Sequence, residues 1–231
     1  MVTQPASVDG YQILAELGRG TTGVVYKARH PIKPDRLVAV KMPVLGSASE
    51  SHQQLARHNN EWNALRILTW EPDPALPTLY DAGYGVLGEP FYARELMDGC
   101  PLEQLVATGT MRLREGIRIL ATIAGAVQRM HYRQIAHRNL RPSRILVGPD
   151  GTTKLIGFGH VGPLAGADRL PPGMSGVSAE VDVMALQEIL AWLCAALRQP
   201  VPAPQEAVQQ PGSVPSPGRF AEALSSYLDA G

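Results

Sequence analysis

The sequence predicts an α+β chain, with strands gathered in its first hundred residues and mainly helices beyond them. Three observations predict it. Short apolar and β-branched runs, flanked by turn formers, cover 11–44 and 78–97. A single segment of helical period, 49–69, stands between them. Three further helical segments follow, over 113–132, 179–198 and 219–228.

Taken in order, Val24-Val25-Tyr26 and Leu37-Val38-Ala39-Val40 read as strands around a glycine-rich turn. In 49–69, Leu55, Trp62, Leu65 and Leu68 keep to one helix face. Pro72, Pro74 and Pro77 then break the chain. Residues 78–97 hold two short apolar runs parted by Gly83, Gly85 and Gly88, which suits a hairpin. The clearest helix is 113–132, with Ile117, Leu120, Ile123, Ala124, Val127 and Met130 facing inward. Ser216-Pro217 opens the last helix. Between the last two helices, 199–218 is rich in Pro, Gln, Gly and Ser and reads as a loop or semi-rigid linker without P-x-x-P spacing.

Composition narrows the function classes. The 231 residues carry 21 basic and 21 acidic side chains, mixed along the chain. Nothing in that balance calls for nucleic acid or an acidic membrane as partner. Cys100 and Cys194 are too few for a disulfide framework, so a reduced, cytoplasmic chain is expected. The most apolar stretch, Val183 to Leu197, contains Gln187 and Glu188 and is too short to span a bilayer. The first ten residues have no apolar core of a signal peptide. The six histidines lack ligand spacing, so no metal site is expected.

The chemistry-bearing motifs fall in sequence. Gly18-Arg19-Gly20-Thr21-Thr22-Gly23-Val24-Val25 matches G-x-G-x-x-G-x-V, a turn whose backbone N–H groups can approach a phosphate. Alone, such a turn is better read as a plain hairpin. Eighteen residues after Gly23 comes Lys41, in Val38-Ala39-Val40-Lys41, and Glu61 follows midway along the first helix. A lysine and a helix glutamate so placed match the pair that holds nucleotide phosphates. The most informative stretch is His137-Arg138-Asn139-Leu140-Arg141-Pro142-Ser143-Arg144, followed by Gly157-Phe158-Gly159. It has the shape of H-R-D-L-x-x-x-N and D-F-G, with Asn139 at the catalytic Asp, and Arg144 and Gly157 at the two magnesium ligands.

From about Tyr11 to Leu197 the chain therefore resembles the eukaryotic-type Ser/Thr protein kinase family in its bacterial form. The resemblance implies a bilobal kinase-like fold. A small antiparallel β N-lobe with one helix would cover 11–97, and a mainly helical, abbreviated C-lobe 98–231. It implies a nucleotide site that draws on Gly18, Gly20, Gly23, Lys41 and Glu61. Val25, Ala39 and Leu146 would sandwich an adenine, and Glu95 to Met97 would be the hinge. Leu65, Leu79, His137 and Phe158 resemble the hydrophobic column joining the lobes, and Asp182 the buried aspartate that opens the central C-lobe helix.

The departures decide the functional expectation. Gly157 offers a metal no ligand, and Arg144 is a fixed cation that repels one. Asn139 can hydrogen-bond a hydroxyl but cannot take its proton. Lost base assistance alone costs about 10²–10⁴-fold. Lys41, Arg138, Arg141 and Arg144 make the expected site cationic. Two uses of these arginines stand side by side: Arg144 as counter-charge to a phosphate, or pairing of all of them with nearby carboxylates. Arg94 stands before the hinge where the family has an apolar side chain, placed to compete with Lys41 for Glu61. No A-P-E follows Phe158, and Pro171 to Gly176 stand in its place. The expectation is a pseudokinase without an intact catalytic residue, working in signalling by binding a protein partner. ATP, where bound, would need no magnesium. The alternatives are an active ATP-dependent Ser/Thr kinase with atypical catalytic residues and a remnant that binds nothing.

Overall fold

The structure is a computed structural model that describes residues 5–20, 22–44, 48–86, 88–164, 179–200 and 216–229, with side chains in the first helix described from Ser51 onward. The chain forms two compact units. The first runs to Pro72 and resumes over Pro77–Met97; the second takes Asp73–Leu76 and continues from Asp98.

The first unit is an antiparallel six-stranded sheet with one helix. Its strands are β1 (Ser7–Val8), β2 (Tyr11–Gly20), β3 (Gly23–Arg29), β4 (Leu37–Met42), β5 (Leu79–Tyr84) and β6 (Pro90–Glu95). They lie in the order β1-β2-β3-β4-β6-β5. Helix α1 (Ala48–Thr69) lies between β4 and β5 in the chain. Period-two alternation sorts the side chains of the sheet. Val38 and Val40 join Val24, Tyr26, Ala28, Phe91 and Ala93 in an apolar cluster closed by Tyr11. Ala39 and Lys41 fall on the opposite face. The expected hairpin over 78–97 is β5 and β6, paired from Leu79↔Arg94 to Tyr84↔Pro90.

The α1 expectation holds in extent and needs correction in its packing. Leu65 and Leu68 are buried, but Leu55 and Trp62 are only half-buried. The buried face also contains His58 and Glu61. That face meets a polar patch rather than a purely apolar one.

The second unit is built on α2 (Leu102–Ala107), α3 (Leu113–Tyr132), α4 (Glu180–Ala196) and α5 (Pro217–Asp229). All six residues of α3 expected to face inward are fully buried. Gly116 lets α4 come close, since a Cβ there would lie 2.5 Å from Leu193 Cδ2. Helix α5 is tied to α3 by Arg114, which donates to the Leu228 carbonyl, and by the Gly218 N–H, which donates to Gln128 Oε1 at 2.8 Å. Ser216 caps α5, its Oγ accepting from Arg219 N at 3.3 Å, and Pro217 opens the first turn. The proline-rich loop expected over 199–218 therefore ends earlier, because Pro217 and Gly218 belong to the helix. Its residues 201–215 lie outside the described residues.

Sequence periodicity missed α2 and the five short strands of this unit: β7 (Cys100–Pro101), β8 (Ile135–Ala136), β9 (Ile145–Val147), β10 (Thr153–Leu155) and β11 (Gly162–Pro163). Two or three residues are too few to show a period. Strands β10, β9 and β7 form one small sheet, β11 and β8 another. Asp73–Leu76 is held here by side chains and backbone together. Asp73 accepts from Ala75 N at 2.7 Å and pairs with Arg129 of α3. Ala75 O accepts from Leu155 N at 2.8 Å.

Candidate functional site

In the first unit the glycine motif forms the β2–β3 hairpin, closed by the pair Gly20↔Gly23. Gly23 is obligatory: its φ is 138°, and a Cβ would lie 2.2 Å from the Met42 carbonyl oxygen. Around Gly18 and Gly20 nothing lies within 4 Å of a would-be Cβ, so that side of the turn is open to close approach.

Lys41 stands directly across from Val25 on β3 and Tyr92 on β6. Its ammonium is buried and donates to Glu61 Oε2 of α1 and to Thr22 Oγ1, the latter at 2.9 Å. The lysine–glutamate pair expected from spacing is thus formed. Thr22, which the motif reading passed over as a variable position, seats the glycine turn on the same ammonium.

His58 lies one helical turn before Glu61 and is fully buried. Its ring centroid is 5.1 Å from that of Tyr92, and among the described residues neither ring nitrogen has a hydrogen-bond partner. Burial, helped by the Lys41 charge and opposed by Glu61, pushes its pKa down to about 4. Tyr92 is buried as well, and burial together with Glu61 raises its hydroxyl well above the usual range. The three-residue spacing of His58 and Glu61 on one helix was the available signal for this neighbour.

Arg94 does not take Glu61 from Lys41. Its Nη1 donates to the Glu95 carbonyl at 3.0 Å, and it pairs across the sheet with Ala39. Glu95 in turn accepts from Thr78 N at 3.3 Å through Oε2. Val25 is half-buried and Ala39 fully buried, and Met97 ends the unit.

In the second unit Asp182, at the start of α4, organises the loop that carries the altered motif. Its carboxylate accepts from His131 Nε2, His137 N and Arg138 N, each at 2.8 Å. Burial opposes its ionisation, but these bonds prevail and its pKa is lowered. Arg138 has φ 64°, in the left-handed region, where Asp182 holds its N–H. His137 meets Phe158 edge to face at 5.2 Å. Leu65 and Phe158 are buried each in its own unit, and Leu79 is half-buried.

The three altered positions have distinct fates. Asn139 Nδ2 donates to His160 Nδ1 at 3.3 Å. Arg144 closes the 3₁₀ turn Pro142–Arg144, and Leu146 follows in β9. Gly157 has φ 88°, and Arg144 lies over it. A Cβ on Gly157 would meet Arg144 Cδ at 2.6 Å, Nε at 2.9 Å and Cζ at 3.1 Å. The guanidinium thus fills the space in which a side chain at 157 would begin. These residues do not fit a magnesium ion: one position lacks a ligand atom and the other puts a cation in its place. The segment Pro171 to Gly176, which stands where A-P-E was expected, lies outside the described residues.

Among the described residues no helix is long and apolar enough to cross a membrane. The family model for the protein kinase domain matches residues 11–176. A probable serine/threonine-protein kinase, PknB, of Lactococcus lactis is 33% identical over 153 residues, covering 65% of this chain and 23% of that protein. The serine/threonine-protein kinase PknL of Mycobacterium bovis is 31% identical over 165 residues, covering 71% of this chain and 40% of that protein. The chain thus spans less than half the length of these relatives. The matched stretch contains the glycine turn, Lys41, Glu61 and the whole altered loop, and the expected kinase-like α+β fold stands with it. With more than half of its length matched in this way, the chain belongs to the protein kinase domain family.

Proposed function

We propose that this is a pseudokinase: a protein-kinase-like domain that acts in signalling by binding a protein partner, with ATP as a ligand that needs no magnesium. The observation that carries the reading is Arg144 lying over Gly157. Phosphoryl transfer relies on positioning and on metal charge at the phosphates. Asn139, bonded to His160, has no carboxylate with which to take a hydroxyl proton. Gly18, Gly20, Gly23, Val25, Ala39, Lys41, Glu61, Glu95, Met97 and Leu146 are the residues we assign to nucleotide. The two cysteines, both free, suit a reduced cytoplasmic setting.

One observation favours a second reading, an active ATP-dependent Ser/Thr kinase with atypical catalytic residues. Lys41 and Glu61 are paired, as an active site would need. Incubation with radiolabelled ATP and magnesium separates the two. The expected result is no transfer to the chain itself or to a generic protein substrate above a Lys41→Met control. Robust magnesium-dependent labelling that the control abolishes would overturn the proposal in favour of the active kinase.

A further inference from the structure

The glycine turn of the first unit is held at its tip by a side chain that the motif leaves variable. Lys41 stands across from Val25, which follows Thr22 closely on the same hairpin. Its ammonium commits at least two of its three donors, one to Glu61 Oε2 and one to Thr22 Oγ1, the latter at 2.9 Å. The two partners are unequal. Glu61 is a buried carboxylate, and breaking a buried ion pair leaves a charge without compensation. Thr22 is a neutral, half-buried hydroxyl on the turn itself. The strand leading into the turn is lightly held. From Leu14 to Gly20 every residue of β2 is exposed. Its pairing with β3 shifts register between Ile13 and Ala15 and again between Glu16 and Gly18, which gives the arm two places to bend. Gly23 is the fixed point, seated so closely on the Met42 carbonyl that it admits no Cβ.

We infer that Thr22 is a latch: its hydroxyl holds the glycine turn closed on Lys41, and a phosphate group gains that ammonium by displacing it. The inference rests on the nucleotide part of the proposed function and involves groups of the first unit alone. A phosphate oxygen carries charge, so it outcompetes a neutral hydroxyl for an ammonium donor. Glu61 resists the same exchange, because it is charged and buried. The turn therefore gives way and α1 stays where it is. The turn swings about Gly23 and the bulged part of β2, the least buried stretch of the hairpin. Thr22 thereby sets how tightly the first unit holds phosphate, and it couples the shape of an exposed turn to the partner that Lys41 has taken.

The test compares the unaltered full chain with Thr22→Val, which keeps the side-chain shape and removes the hydroxyl, and with Thr22→Ser, which keeps the hydroxyl. Inorganic tripolyphosphate is the probe, titrated by calorimetry in EDTA at constant ionic strength. Amide hydrogen exchange across Leu14–Val24 reads the turn without any probe. Thr22→Val should bind tripolyphosphate about tenfold more tightly and exchange about tenfold faster at the turn, the size of one charge-assisted hydrogen bond. Thr22→Ser should match the unaltered chain in both. Exchange that Thr22→Val leaves unchanged overturns the latch. Faster exchange with unchanged binding also overturns it, since the contact is then structural only. Weaker binding by Thr22→Val overturns it too, since the hydroxyl is then a ligand of the phosphate. If none of the three chains binds tripolyphosphate, the nucleotide reading is what fails, and the exchange comparison alone decides the latch.

Discussion

In the first unit the charged groups of the site are complete and buried: Lys41 is held by Glu61 and Thr22 beneath the glycine turn. In the second unit the positions that would serve proton and metal hold Asn139, Arg144 and Gly157, while Asp182 keeps its carboxylate and three donors. The contrast separates two jobs that carboxylates do. Glu61 and Asp182 satisfy buried partners, so the folded chain depends on them. A carboxylate at 139 or 157 would serve chemistry instead.

The sharpest way to break this comparison is at Asp182. Asp182→Ala strands two buried donors, His131 Nε2 and the His137 N–H, each worth about 1–3 kcal/mol, and the part-buried Arg138 N–H, so a loss of about 3–6 kcal/mol is expected in urea unfolding. Restoring a carboxylate with Asn139→Asp should change stability by less than about 0.5 kcal/mol, as for a substitution away from buried networks. Comparable costs at 139 and 182 would erase the distinction between structural and chemical carboxylates.

The next largest effect is expected at the buried ion pair. Lys41→Met leaves Glu61 buried without its cation, at a cost of about 3–5 kcal/mol. Adding Glu61→Leu should recover most of that, since removal of both charges relieves the desolvation. A double variant no more stable than Lys41→Met would mean that the pair is not what holds α1 to the sheet.

The smallest effect is a pH dependence that belongs to the first unit. His58 titrates near 4 when folded and near 6.5 when unfolded, so between those values the unfolded chain binds more protons. Stability is therefore full above pH 6.5 and falls towards pH 4, by up to about 3 kcal/mol. Lys41, Glu61 and Tyr92 are the charged and titratable groups that face it, from β4, α1 and β6. Asp182 acts in a separate window: its contribution is present above its unfolded value of 3.8 and is lost only as pH falls below that. Denaturant midpoints measured from pH 7 to 4 should slope for the unaltered chain and flatten for His58→Gln. A slope that His58→Gln leaves unchanged would place the titrating group elsewhere.

The sequence by itself determined the α+β class, the bounds of α1 and α3 to within a residue, the six buried positions of α3, and the Lys41–Glu61 pair. These rest on local periodicity or on motifs whose spacing fixes partners in advance. Only the tertiary structure decided that Thr22 seats on Lys41, that His58 is buried against Tyr92, and that Asp73–Leu76 belongs to the second unit through Arg129. It also decided that Arg94 turns to the Glu95 carbonyl and that Arg144 covers Gly157. The physical reason is the same in each case. A period reports which face of an element is apolar, whereas these contacts depend on where side chains from separate segments come to rest. Arg144 and Gly157 are two unremarkable letters thirteen positions apart, and become one feature only when the β9–β10 hairpin folds the second back under the first.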